Sequence, residues 1–177
     1  MREQEILRAA VLGMGNMGSQ YAGLLLAGKV PGMALAAVTR VKPEMLAARG
    51  LTLPEDLPVY PTADALFGAV DAGQLALDAV IIATPHRLHQ EQAEAAMQRG
   101  LCVLSDKPAG IRSSQARQME QARPEGLVCG YIFQQRTFPS YRMIHQLVHS
   151  GQLGKVKRVS WTVTDWYRSN AYYAGSG

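Results

Sequence analysis

A glycine-rich turn near the amino terminus constrains the fold of this chain more than any other feature. The apolar run Leu7–Leu12 precedes the turn, and a helical pattern follows it to Leu26. The turn itself consists of Gly13, Met14, Gly15, Asn16, Met17 and Gly18. Although this spacing also occurs in ordinary tight turns, the order strand, turn, helix favours a dinucleotide site. The three glycines would permit the turn, the approach of a pyrophosphate and close packing of helix on strand.

The end of the second predicted strand bears on which dinucleotide binds. The run Met33–Val38 ends at Thr39 and Arg40, about twenty residues past the last glycine, as a βαβ unit requires. Sites that prefer NAD usually carry Asp or Glu here, whereas Thr39 offers a hydroxyl and Arg40 a guanidinium suited to phosphate. Lys42 adds a positive charge. We predict NADP(H), with NAD as the alternative if Arg40 and Lys42 are ordinary solvated charges.

Composition limits the classes of protein to which the chain can belong. Its 177 residues are 47% hydrophobic and 18% charged, which suits one compact domain with part of another. The net charge of +4 comes from scattered Lys and Arg, so we predict no nucleic-acid partner. No apolar run is long enough for a membrane span, and the first residues lack a signal-peptide pattern. We therefore predict a cytoplasmic protein without membrane contact.

Strand and helix patterns alternate along most of the chain. The continuous apolar run Leu77–Ala83 is typical of a strand buried on both faces, at the centre of a parallel sheet. Further strands are predicted at 101–104 and 127–130, and helices at about 62–70, 88–99, 113–121 and 139–150. Together these predict an α/β fold with a Rossmann-type, doubly wound parallel sheet.

Two cysteines and four histidines could in principle form metal or redox sites. Cys102 and Cys129 each lie within a predicted strand, so we expect buried, reduced thiols; a disulfide or a shared metal is the alternative. His145 and His149 are four residues apart, but no nearby acid completes a metalloprotease pattern. We predict no metal site.

The segment Lys155–Thr164 differs in character from the rest of the chain. Its alternating pattern and β-branched residues predict a half-exposed strand of a different, antiparallel sheet. About three strands or a packed helix are needed for such a sheet to be stable. We therefore expect the partner strands to follow Gly177 or to come from another chain.

Three further motifs carry a resemblance to a known family. Thr84, Pro85 and His89 form a T-P-x-x-x-H pattern after the buried strand, and Gly100–Pro108 contains Asp-Lys-Pro at its end. Gln135-Arg136 follows later in the chain. With these motifs and the glycine turn, the segment from Leu7 to Tyr173 resembles the N-terminal part of a Gfo/Idh/MocA oxidoreductase.

The resemblance implies a dinucleotide domain followed by a substrate domain, here residues 1–131 and an incomplete 132–177. It implies hydride transfer between a nicotinamide cofactor and a hydroxyl or carbonyl carbon of a sugar, cyclitol or related molecule. Lys107 matches the catalytic lysine, which assists proton transfer at the substrate hydroxyl. The resemblance also implies cofactor contacts in the central and later motifs, namely at Thr84, Pro85, His89, Lys107 and Arg136. Homo-oligomers are possible through the second domain.

Two departures from the family pattern keep a second function open. Asp106 stands where the family usually has Glu, and the family's catalytic Asp and His are not reached before Gly177. The segment Asp165–Arg168 is predicted to line the substrate side. The chain is therefore expected to be the N-terminal portion of an oxidoreductase or, alternatively, a stand-alone dinucleotide-binding module that senses or carries its cofactor without turnover.

Overall fold

The computed structural model describes residues 6–164 and 167–175. The chain divides into two compact units, Met1–Ile132 and Phe133–Gly177.

The first unit is built on six parallel strands, which in chain order are β1 (Leu7–Leu12), β2 (Met33–Thr39), β3 (Val59–Tyr60), β4 (Ala79–Ile82), β5 (Cys102–Asp106) and β6 (Cys129–Ile132). In the sheet the strands lie in the order β3-β2-β1-β4-β5-β6. This order is that of a Rossmann fold, in which the direction of winding reverses between β1 and β4. The predicted doubly wound sheet is thus confirmed.

Helices cover both faces of this sheet. They are α1 (Asn16–Leu26), α2 (Pro43–Ala48), α3 (Ala63–Asp71), α4 (His89–Met97) and α5 (Ser113–Ala122), and a short 3-10 helix, His86–Leu88, precedes α4. The hydroxyl of Thr62 accepts a hydrogen bond of 3.1 Å from the backbone N–H of Ala65 and so caps α3. The sequence patterns predicted α1, α3, α4 and α5 but not α2, the 3-10 helix or the two-residue strand β3.

Two hydrophobic clusters lie on opposite faces of the sheet. Along β1, Ala10 and Leu12 belong to one cluster, while Ala9 and Val11 belong to the other. All four side chains are fully buried. Because successive side chains of a strand point to opposite faces, a strand covered on both sides must be apolar throughout.

The two cysteines follow the same alternation. Cys129 packs against the cluster that contains Leu12, and Cys102 packs against the cluster that contains Val11. Both thiols are free and half-buried, so the expectation of full burial was too strong. Opposite faces of the sheet separate the two sulfur atoms, which explains why they are not bonded to each other.

The second unit contains a 3-10 helix (Gln134–Thr137), α6 (Pro139–His149) and α7 (Asn170–Gly175). The strand predicted over 155–164 does not form, because the described part of this unit offers no strand with which it could pair. None of the side chains described here is buried, and Tyr141 alone among them is half-buried.

Over residues 6–164 and 167–175, each helix is too short or too polar to cross a membrane.

Candidate functional site

The carboxyl ends of β1, β2, β4 and β5 meet at one edge of the sheet because the strands are parallel. Four predicted groups lie at or just after these ends: the glycine turn, the pair Thr39 and Arg40, the pair Thr84 and Pro85, and Lys107. In open α/β sheets a ligand binds outside this edge, where the strand order reverses. That point lies here between β1 and β4.

The three glycines of the turn differ in their surroundings. Gly13 has a φ of 87°, and a Cβ atom there would lie 2.9 Å from Cγ2 of Thr84. A Cβ atom at Gly18 would overlap the carbonyl oxygen of Gly13. A Cβ atom at Gly15, by contrast, would have no described atom within 4 Å apart from its own neighbours along the chain. Gly13 and Gly18 therefore serve the protein's own packing, whereas Gly15 borders open space.

The start of α1 is suited to an anion. Gly15 is its N-cap; among the described residues no side chain caps the helix, and its first turn contains no acid. The first amide groups of a helix have no intrahelical partner, and they attract negative charge. Asn16 is exposed there and accepts a hydrogen bond from the guanidinium of Arg49. This end of the helix can hold a phosphate.

Met14 and Met17 have less direct roles than their places in the turn predict. The Met14 side chain is fully buried, and its N–H donates to the carbonyl oxygen of Thr39 at 3.2 Å. Ser19 donates its hydroxyl to the Met14 carbonyl oxygen at 3.3 Å. Met17 is half-buried. Met14 thus anchors the turn to the core, and its backbone N–H is hydrogen-bonded within the protein instead of being available to a ligand.

The structure separates the predicted roles of Thr39 and Arg40. Thr39 is fully buried, and its hydroxyl accepts a hydrogen bond of 2.9 Å from the N–H of Gly13. Its side chain therefore stabilises the glycine turn from within the core and is not positioned to contact a ribose. Arg40 is exposed, with a φ of 54°, and its N–H donates to the Tyr60 carbonyl oxygen at 3.0 Å.

Arg40 borders an open cavity of about 530 Å³. Lys42 also lines this cavity, together with Val59, Tyr60 and Pro61 around β3. Two cations thus face one cavity at the end of β2. This is the position at which a dinucleotide site discriminates between a ribose hydroxyl and a 2′-phosphate.

Thr84 and His89 lie beneath the edge rather than on it. The Thr84 hydroxyl donates to Oε1 of Gln92 at 2.7 Å, and both residues are buried. His89 is fully buried; Nε2 lies 2.8 Å from the Thr84 carbonyl oxygen, and Nδ1 lies 2.7 Å from the Pro108 carbonyl oxygen. His89 therefore links the segment after β4 to the segment after β5 and positions both, instead of presenting its ring to a ligand.

Lys107 is the exposed residue of this second segment. Its backbone N–H donates to Oδ1 of Asp106 at 2.8 Å. Among the described residues no carboxylate forms an ion pair with its ammonium group. Asp106 thus orients the backbone of Lys107 while the ammonium group remains available. Pro85 immediately precedes the short 3-10 helix after β4.

Tyr21 is a polar group of this region that the sequence patterns did not predict. Its hydroxyl is buried and has no hydrogen-bond partner among the described residues. Burial raises the pKa of Tyr21 to about 12, and the negative charge of Asp106 adds to that shift. The hydroxyl is protonated at neutral pH and can donate a hydrogen bond. Its only sequence signal is its place one turn after Gly18.

Arg136 belongs to the second unit. Its guanidinium lies over the ring of Phe133, 5.1 Å from the centroid. Of the segment predicted to line the substrate side, Asp165 and Trp166 lie outside the described residues. Nowhere in 6–164 or 167–175 do three His, Cys, Asp or Glu side chains gather as metal ligands would.

Comparison with known proteins identifies relatives of this chain. An oxidoreductase family with an NAD-binding Rossmann fold, GFO_IDH_MocA, matches residues 7–132. The chain is 27% identical over 151 residues to scyllo-inositol 2-dehydrogenase (NAD(+)) of Bacillus subtilis, covering 84% of this chain and 42% of that protein. It is 32% identical over 157 residues to inositol 2-dehydrogenase 4 of Saccharopolyspora erythraea, covering 84% and 43%.

A solved structure agrees with these sequence relatives. Scyllo-inositol dehydrogenase from Lactobacillus casei with bound NAD(H) and scyllo-inositol superimposes with a TM-score of 0.69 at 28% identity. The match covers 85% of this chain and 43% of that one. This chain therefore spans less than half the length of the relatives it matches.

Proposed function

Since this chain belongs to the Gfo/Idh/MocA family of oxidoreductases, we propose that its glycine turn binds a nicotinamide dinucleotide for hydride transfer to or from a sugar or cyclitol. The contrast between Gly15 and Gly18 carries the proposal. Space is open at Gly15, next to the uncapped start of α1, whereas Gly18 is held tightly against Gly13. A pyrophosphate fits this arrangement because it needs both backbone approach and free amides.

We further propose that the cofactor is NADP(H). Arg40 and Lys42 face one cavity at the end of β2, where an acid would otherwise bind a ribose hydroxyl. A guanidinium matches the geometry of a phosphate group and carries a permanent charge. The relative whose name includes a cofactor uses NAD(+), so Arg40 would mark a difference between this chain and that relative.

Lys107 is the proposed proton-transfer residue. A bound nicotinamide supplies the hydride chemistry. The ammonium group of Lys107, exposed at the end of β5, would hold a proton at Nζ and exchange it with the reacting hydroxyl oxygen of the substrate. His89 and Asp106 position the backbone around Lys107 through the contacts at Pro108 and at the Lys107 N–H.

Titration of the chain with NADPH and with NADH tests the cofactor proposal. We expect NADPH to bind more tightly by about tenfold, and Arg40→Asp to reverse the preference. Lys29→Gln removes one cation after α1, at the far end of that helix from the turn, and should change neither affinity by more than about twofold. Tighter binding of NADH would contradict the NADP(H) assignment, and binding of neither would contradict the site itself.

Binding without turnover is the second candidate function. It is favoured by one observation: no described side chain of the second unit is buried, so this unit has no core of its own with which to hold a substrate site. A dehydrogenase assay with NADP+ or NAD+ and with scyllo-inositol, myo-inositol or glucose distinguishes the two. Cofactor binding with no reduction of the nucleotide would support the module, and steady reduction would exclude it.

We also propose self-association through the second unit. The helix α6 exposes Met143, Ile144 and Val148, and an uncovered apolar face favours association between copies. Light scattering during size-exclusion chromatography should show a mass that rises with concentration. A mass equal to one chain at all concentrations would contradict this.

A further inference from the structure

The charge of this protein is unevenly divided between its two units. Residues 133–177 contain six Lys or Arg but only one acid, Asp165, whereas residues 1–132 contain twelve Lys or Arg and thirteen Asp or Glu. The whole excess of positive charge therefore resides in the second unit. An anionic ligand would be attracted to that unit in preference to the first.

A cavity of about 810 Å³ lies within this unit. Arg136 and Arg142 both line it, and so do His145 and two glutamines, Gln135 and Gln146. Among the described residues no carboxylate forms an ion pair with either arginine. Two guanidinium groups therefore face the cavity with their charges uncompensated by acids of the described chain.

The cavity also has an aromatic wall. The rings of Tyr141 and Trp161 stack on each other, with their centroids 5.4 Å apart and an angle of 27° between their planes. Both residues line the cavity. Trp161 is 63% exposed, so much of its indole surface is open to a ligand. A flat aromatic surface packs well against the apolar face of a sugar ring.

The cavity thus combines three elements that match one ligand chemistry. The aromatic wall suits a pyranose ring, and glutamine amides both donate and accept hydrogen bonds with hydroxyl groups. Paired arginines suit a carboxylate or a phosphate, which they can bind through two parallel hydrogen bonds. Its volume falls within the range of about 300 to 1,000 Å³ that is usual for small-molecule sites.

We propose that this cavity binds an anionic sugar, a monosaccharide ring that carries a carboxylate or a phosphate. The proposal rests on the function proposed above, since it names the substrate class of the same oxidoreductase. It distinguishes this chain from relatives named for inositols, which are uncharged. Arg142 binds the anionic group, and the indole of Trp161 packs against the sugar ring.

Calorimetric titration of the full chain tests the proposal. The ligands are glucuronate, glucose 6-phosphate, glucose and inorganic phosphate at low ionic strength. We expect at least one of the two anionic sugars to bind about tenfold more tightly than glucose and than inorganic phosphate. The stronger of the two identifies the anionic group. Equal binding of glucose would overturn the role of the arginines, and equal binding of inorganic phosphate would overturn the role of the ring.

Variants separate specific binding from general attraction by charge. Arg142→Gln should lower the affinity for the anionic sugar by about tenfold and leave the affinity for glucose unchanged. Lys157→Gln removes the same charge from the same unit but lies outside the cavity lining, and it should change the affinity by less than about twofold. Trp161→Ala should weaken binding of that anionic sugar and leave binding of inorganic phosphate unchanged. Equal losses in R142Q and K157Q would contradict the site.

Failure of this inference is distinguishable from failure of the proposed function. NADPH titration of the same preparation reports on the cofactor proposal and not on the sugar. If NADPH binds and no anionic sugar is preferred, the anionic-sugar site is wrong and the oxidoreductase proposal stands. If the anionic sugar binds and NADPH does not, the cofactor proposal fails instead.

Discussion

At the scale of single residues, the glycine turn depends on a contact between distant parts of the chain. The hydroxyl of Thr39 accepts from the N–H of Gly13 in a fully buried environment, 26 residues apart in sequence. A buried N–H without an acceptor is costly, so this threonine stabilises the turn without touching a ligand. Arg40, its neighbour, is left to face the cavity.

Replacing Thr39 tests that contact. Thr39→Val keeps the shape of the side chain but leaves the Gly13 N–H without its acceptor, and we expect a loss of about 1 to 3 kcal/mol in the free energy of unfolding. Thr39→Ser retains the hydroxyl and should lose less. Urea denaturation measures both. A valine variant as stable as the parent would show that the hydrogen bond contributes nothing.

The second and third glycines of the turn, Gly15 and Gly18, allow the roles of packing and of cofactor binding to be tested separately. Gly18→Ala places a methyl group against the carbonyl oxygen of Gly13, so we expect a loss of about 2 to 3 kcal/mol in stability. The methyl group of Gly15→Ala would extend into open space, so the free energy of unfolding should change by less than about 1 kcal/mol. NADPH affinity should fall, because the methyl group would occupy the place proposed for the pyrophosphate. Thermal denaturation and NADPH titration give the two readouts. Unchanged affinity in G15A would contradict the pyrophosphate position.

At the scale of elements, β1 and β4 are joined at the start of both strands by Arg8 and Asp78. The Asp78 carboxylate accepts from the Arg8 backbone N–H at 2.7 Å and from its guanidinium at 2.8 and 2.9 Å. These hydrogen bonds, with the charge of Arg8, lower the pKa of Asp78 to about 2. The pair fastens the two central strands at the edge opposite the glycine turn.

This pair predicts how stability responds to acid. A lowered pKa in the folded state stabilises the protein above the ordinary value of 3.8, and this contribution disappears as the pH falls towards about 2. Because both side chains are partly exposed, Asp78→Asn should lose about 1 kcal/mol at neutral pH and show a weaker acid dependence between those values. Urea denaturation across pH 2 to 7 checks this. Glu55→Gln, on an exposed loop, is the control, and equal effects would contradict the assignment.

At the scale of the whole molecule, stability and exposed apolar surface belong to different units. Both hydrophobic clusters lie within the first unit, which ends at Ile132. In the second unit Val159 is 78% exposed and Met143 62% exposed. Burial of apolar surface is the main source of folding free energy. The first unit therefore holds the stability of this protein.

Deletion of residues 133–177 tests this division. We expect the remaining unit to unfold cooperatively, with a melting temperature within about 5 °C of the full chain and unchanged NADPH binding apart from any contribution of Arg136. Circular dichroism during heating provides the measurement. Loss of cooperative unfolding would show that the second unit completes the core.

The local features of the site were predictable from sequence because they depend on neighbouring residues. The order of strand, glycine turn and helix from Leu7 to Leu26 follows from short-range sterics and from apolar spacing. The same holds for the capped start of α3 at Thr62. The short elements α2 and β3 escaped prediction because two to six residues carry too little periodic signal.

The rest was decided by tertiary structure. Sequence order alone determined that a dinucleotide fold forms and that Arg40 ends its second strand. Only the folded chain decided that Thr39 turns inward to Gly13 and that His89 joins the Thr84 and Pro108 carbonyls. It also decided that 155–164 forms no strand. The physical reason is the same in each case: these outcomes depend on which distant groups are present as hydrogen-bond partners, and local sequence does not specify that.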